Sequence, residues 1–427
     1  MSVYTEIFRG LEIPRFARVT YALPSAHLAD PAEETRRNIE KSGLLSRIHP
    51  GESVCIGVGS REIGNLQSIV RALVESLRPA GAEIFIVPAM GSHGGATPEG
   101  QREILAGYGI TQEALGVPIR ATMETVLVGR TPSGLDVRMD AYAAGADHII
   151  PVGRIKAHTD FRGPVESGLM KMLAIGLGKQ YGASICHKMG FPNMSKNVME
   201  FGQVMIQNRP VLFGLGILEN AHHQTAKIAV IPAERIAEEE PPLLLEAKAL
   251  MARLPFQKAD VLLMDEIGKN ISGAGMDPNV TGRSTMLGRS APDFDQIVVF
   301  DLTDVSHGNG TGLGNADIST KRVFEKFRFE MTYPNCFTCK DGLGVKLPII
   351  MPSDAQAILA ALKLLPVPPA ERAPRIVWLK NTLCLESFLI SEALLPEAEA
   401  IPGMTVSAPP QPVPLDENGN IDRARLL

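Results

Sequence analysis

VGRIKAHTDFRGPVESGLMKMLAIGLGKQYGASICHKMG, residues 152–190, mixes histidine, lysine and glycine as ordinary core segments do not. It carries His158 and His187 together with Lys156, Lys171, Lys179 and Lys188. The chain enters it from DHIIPVG (147–153), an apolar run that reads as a strand. Two earlier stretches have the same form. SVCIGVGSREIG (53–64) is an apolar run that stops in a glycine turn and leads into helical spacing over 65–81. AEIFIVPAMGSHGG (82–95) does so again, and Thr97-Pro98 then opens a helix, with Thr97 as N-cap and Pro98 at the first helical position. Successive strand–loop–helix units imply a parallel sheet, whose ligands bind beyond the carboxyl ends of the strands. Arg61, His93 and His158 each follow one of these strands and are expected at that edge. His148 precedes its strand and is expected at the other.

At 427 residues the chain exceeds one ordinary core. The expected class is α/β: two α/β domains with mostly parallel sheets and an active-site crevice between them. The expected boundaries are 1–255 for a domain carrying the site, 256–400 for a second domain closing over it, and 401–427 for a proline-rich extended tail. Residues 1–35 are expected to wrap the first domain. The net charge of −5 and pI near 6 argue against nucleic acid as a partner. No run reaches the roughly 18 apolar residues of a membrane span, and the first sixteen residues contain no apolar signal core. Five cysteines fit a reducing cytoplasm better than a disulfide framework. Cys336 and Cys339 form a lone CxxC, short of the second pair that a zinc site normally needs.

The glycine turn 88–100 precedes a helix and suits either an anion cradle or a plain sharp turn. It is neither a Walker A motif nor a dinucleotide fingerprint. The loop HGNGTGLGNAD (307–317) is equally open to an anion site or a flexible connection. His93, His158 and His187 lack the i, i+4 spacing of a helical zinc motif, so any site they form comes from separate loops. An imidazole is both a metal ligand and a general base near neutral pH. The His222-His223 pair and His307 are weaker candidates. Lys171 lies among apolar neighbours, where a lysine must be paired, snorkelling or chemically consumed.

Together these residues resemble the nickel-pincer-nucleotide-dependent racemases and epimerases, the lactate racemase-like family. The resemblance covers most of the chain and is strongest from Val58 to Gly190. It implies a pyridinium dithiocarboxylate mononucleotide tethered to lysine, with nickel held by the cofactor and one histidine. Two further histidines would serve as acid and base on a 2-hydroxy acid. Carried over, His93 and His158 become the acid/base pair, Lys171 the tether and His187, sixteen residues on, the nickel ligand. Ser60 and Arg61 match the turn that meets the cofactor, and Arg61 and Lys269 match substrate contacts. The tether loop RGPVESGLMK has fewer small residues than is typical, and the acidic residue usual before Arg61 is absent. These departures imply a divergent member acting on a 2-hydroxy acid other than, or not limited to, lactate. Arg162 and Glu166 are candidates for specificity or for a structural salt link. The implied setting is cytoplasmic, with cofactor biosynthesis and insertion enzymes as partners. The competing classes are a zinc- or iron-dependent hydrolase or lyase built on the three histidines, and a non-catalytic binder of an anionic metabolite.

Overall fold

The computed structural model describes residues 3–59, 63–188 and 190–426. The chain folds into two compact units, Pro24–Met251 and a second made of Met1–Leu23 with Ala252–Leu427. Both are mixed α/β, and most strand pairs within the two large sheets are parallel.

The Pro24–Met251 unit holds a five-stranded sheet. Its strands are β1 (Ser53–Val58), β2 (Glu83–Pro88), β3 (His148–Arg154), β4 (Phe213–Glu219) and β5 (Thr225–Pro232), in the order β2-β1-β3-β4-β5. The first four run parallel and β5 returns antiparallel. Side chains alternate across the sheet and feed two cores. Val54, Ile56, Val58, Ile150 and Val152 join one core with Ile39 of helix α1 (Pro31–Ser42) and Ile69, Leu73 and Leu77 of helix α2 (Leu66–Leu77). Cys55 and Ile149 join the other, with Leu169, Leu173, Leu177, Val198 and Phe201. The stretch 152–190 therefore covers one face of the sheet and reaches its carboxyl edge. The helix after β2, α3 (Pro98–Gly107), begins as its sequence requires: Thr97 Oγ1 accepts the Gly100 N–H at 3.1 Å, with Pro98 next.

The other unit holds an eight-stranded sheet. Parallel strands Ile349–Met351, Ile318–Thr320, Asp293–Val299, Lys258–Met264 and Ile376–Leu379 lie side by side, followed by antiparallel Ser387–Ser391, Phe16–Tyr21 and Met404–Gln411. Two boundaries differ from those expected. Residues 1–23 belong to the other unit, because Phe16–Tyr21 pairs with Ser387–Ser391 on one side and Met404–Gln411 on the other. The proline-rich tail contributes an edge strand, a position where a missing N–H is tolerated. Among the described residues no helix is long and apolar enough to cross a membrane.

Candidate functional site

The carboxyl ends of β1, β2 and β3 meet the segment 168–187. A short helix, Leu169–Lys171, runs into a π-helical turn, Met172–Leu177, and then into α4 (Lys179–His187). Single π-turns inside helices often mark functional sites. Glycine lets the strand ends approach: a Cβ on Gly153 would lie 2.5 Å from the Met172 side chain. Gly91, just before His93, donates its N–H to Gly176 O at 3.2 Å. Ser60 and Arg61 follow β1 but lie outside the described residues.

His158 sits in a loop closed at its base by two backbone bonds between Lys156 and Ser167, at 2.9 and 3.2 Å. Its ring lies 4.3 Å from the buried Phe161 ring and 6.4 Å from that of Phe191. The His187 ring stands edge-on to the same Phe191, at 5.9 Å. Lys171 Nζ lies 5.6 Å from the centre of the Phe161 ring, within cation–π range. Three of the expected residues, His158, Lys171 and His187, thus share one aromatic-walled cluster. His93 lies at the same sheet edge on the β2 turn, with an exposed side chain. Lys269 belongs to the other unit, where its N–H donates to Ser306 Oγ at 3.0 Å and its Nζ to Gly273 O. His148 is at the opposite end of β3, 2.8 Å from Glu52 Oε2.

The cluster is cationic, and its imidazoles are neutral. Burial first, then the charges of Lys171, Lys156 and Arg162, hold the His158 pKa well below its ordinary value. Burial and Lys171 hold His187 down to about 4. The Asp160 N–H donates to His158 Nδ1 at 3.0 Å, so the neutral ring carries its proton on Nε2. Glu166, fully buried, accepts the His158 N–H at 2.7 Å and pairs with Lys248 Nζ at 2.6 Å. It is therefore a structural salt link and has no exposed face for a substrate. The Cys186 thiol beside His187 is pushed up to about 12 by burial and stays protonated. Asn197 Nδ2 donates to Cys186 O at 2.7 Å and fixes the last turn of α4.

Lys179 has a different environment. It is fully enclosed, with φ +54°. Its ammonium donates to Pro88 O (2.8 Å) and Gln101 Oε1 (2.7 Å) and lies 3.3 Å from Asp140. Gln101 Nε2 in turn donates to Gly91 O and His93 O, at 2.9 and 3.2 Å. The buried pair thus braces the His93 turn from beneath. Burial pushes Asp140 up and Lys179 down, and each charge partly offsets the shift of the other. Lys179→Met should lower stability by roughly 3 kcal/mol, the low end for a broken buried pair because Asp140 keeps two N–H donors. A denaturation midpoint equal to wild type would show that the pair contributes nothing.

The glycines of the β2 turn have a packing reason: a Cβ on Gly94 would meet the Gly100 carbonyl carbon at 2.5 Å. The 307–317 loop is not a slack connection either. Gly308, Gly310 and Gly314 press against Arg328, Phe327 and Leu343. Gln101, Asp140, Glu240 and Lys248 carry no signal in the sequence that ties them to the site, since their contacts span long separations.

The fold is α/β in two units, with a lysine–histidine cluster at the carboxyl edge of a mostly parallel sheet. Residues 16–196 match the family model described as the lactate racemase N-terminal domain. Among solved structures it is similar to the lactate racemase apoprotein from Thermoanaerobacterium thermosaccharolyticum. That match has 12% identity and a TM-score of 0.52 over 87% of this chain and 99% of that one. At that identity the likeness is one of fold. No curated protein matches the chain.

Proposed function

We propose that the protein is a racemase or epimerase of a 2-hydroxy acid other than, or not limited to, lactate. In this reading it works with a nickel-pincer nucleotide tethered to Lys171. The observation that carries the reading is the cluster of Lys171, His158 and His187 around Phe161 and Phe191 at the carboxyl edge.

The residues fit that group. His187 is uncharged near neutral pH, so its lone pair is available to a metal. Among the described residues no three His, Cys, Asp or Glu side chains converge on a metal position. A metal that brings most of its ligands with an organic group needs only one, and a zinc or iron hydrolase needs more. An amide at Lys171 would remove a half-buried cation whose charge acts on both imidazoles. The enclosure of Lys179 supports Lys171 over Lys179 as the tether.

When bound, the group supplies an electron sink that takes and returns the hydrogen on C2. The chain handles the hydroxyl proton. Neutral His158 takes up the hydroxyl proton as the hydrogen leaves C2 and gives it back from the imidazolium as the hydrogen returns, with Glu166 fixing the main chain at His158. His93, carried by a different strand end, is the second proton carrier, since inverting a centre takes one on each side. Arg61, with Ser60 beside it, and Lys269 are the cations proposed for the carboxylate and the cofactor. Cytoplasmic production beside cofactor-building enzymes belongs to the same reading.

The test is racemisation of a panel of 2-hydroxy acids in D2O by protein made with those enzymes. Inversion with the C2 hydrogen retained is expected. Deuterium at C2, or activity restored by a simple divalent ion alone, would overturn the reading. Saturable binding of the acids without turnover, indifferent to His93→Ala, would mark a metabolite binder.

A further inference from the structure

Helix α5 (Ile236–Leu250) comes well after the site in sequence, yet it holds two parts of it from behind. The helix Leu169–Lys171 begins at Gly168, which has no side chain to accept its first N–H groups. Glu240, fully buried, supplies the acceptor: one carboxylate oxygen takes the Met170 N–H at 2.8 Å. Among the described residues its other oxygen, Oε1, has no partner within hydrogen-bond distance. That oxygen sits where a Cβ on Gly168 would meet it at 2.0 Å, so glycine and carboxyl are fitted to each other. Among the described residues no cation pairs with Glu240, and burial raises its carboxyl to about 7.

Two turns further along α5, Lys248 ends 2.6 Å from Glu166, whose other oxygen accepts the His158 N–H. Between these two anchors, Leu244 and Ala247 pack on Ile155 and Leu218, at the root of the His158 loop. A buried carboxylate without an ion partner and a buried salt link cost stability rather than adding to it. Both point at the main chain of candidate site residues.

We propose that Glu240 and Lys248 are positioning residues: Glu240 sets the turn that carries Lys171, and Lys248, through Glu166, sets the main chain at His158. One helix thereby keeps the tether and the proton carrier in register. The inference rests on the roles proposed for Lys171 and His158.

The test uses the full chain, made with the cofactor-building enzymes, as Glu240→Leu, Glu240→Gln and Lys248→Met. Three quantities are read: amide exchange of the 168–173 peptide without cofactor, the fraction of Lys171 carrying the cofactor mass, and turnover per loaded chain. Glu240→Leu should speed exchange about tenfold and cut loading by a similar factor, because the cap is gone. Glu240→Gln keeps an oxygen for the Met170 N–H and should stay within about twofold on both. Lys248→Met should load like wild type but turn over about tenfold more slowly or worse, because His158 is displaced. Wild-type loading by Glu240→Leu would overturn the inference. So would a Lys248→Met that loses loading and turnover together, the mark of a merely structural role. If Glu240→Leu does not fold, the Glu240→Gln and Lys248→Met arms still decide. If the wild-type protein carries the cofactor mass on another lysine, the reading of Lys171 fails, and amide exchange still judges the anchor.

Discussion

Lys171→Met is expected to leave a folded protein with no cofactor mass and no racemisation above background. The proposed reading gives the covalent link to Lys171. Lys179 is enclosed in the core and bonded to Pro88, Gln101 and Asp140. The fold should survive, because methionine keeps the unbranched stem and Lys171 is only half-buried. The substitution also has a signature that needs no cofactor. Lys171 is the second cause, after burial, of the low His158 pKa. Removing a nearby cation favours the protonated ring, so His158 should titrate at higher pH in the variant, while burial keeps it below the ordinary value. Proton NMR of the imidazole checks this, and an unchanged titration would separate Lys171 from the cluster. The sign for stability follows. A histidine with a depressed folded pKa contributes stability that is present above its unfolded pKa and is lost as pH falls toward the folded one. His187 places that window between about 6.5 and about 4.

Replacing either proton carrier is the second large effect. His158→Ala and His93→Ala should each lower turnover on the order of 10²- to 10⁴-fold while leaving the cofactor mass on Lys171 in place. The two should differ in stability. His158 is mostly buried against Phe161 and its Nδ1 accepts the Asp160 N–H, so its removal opens a cavity and strands a donor. His93 is exposed, and its loss should shift the unfolding midpoint little. Wild-type turnover in either variant would remove that residue from the reaction.

The sheet carrying the site was legible because its strands are apolar runs closed by glycine turns, and apolar spacing marks the helices between them. Thr97-Pro98 caps α3 as read. What escaped is what depends on distant partners. Phe16–Tyr21 has no local feature that announces pairing with residues almost four hundred positions away. The hairpin Thr125–Arg130 with Asp136–Asp140 went unread because its first strand faces outward and has no clean alternation. The tail's prolines suggested an extended surface segment, and they are compatible with a sheet edge as well. At the candidate site, the glycine, lysine and histidine mixture pointed to a stretch whose His158, Lys171 and His187 cluster together, but not to which lysine lies outside the core. Burial separates Lys179 from Lys171, and burial is set by packing across β2 and α3. Glu240 was invisible in a run of glutamates followed by two prolines.

The central claim is best tested by intact and peptide mass analysis, with metal quantitation, on protein produced alongside the cofactor-building enzymes. The account predicts about one nickel per chain and a single covalent increment on the peptide containing Lys171. An unmodified chain that racemises its substrate with an added divalent ion, or an increment confined to Lys156, would contradict it.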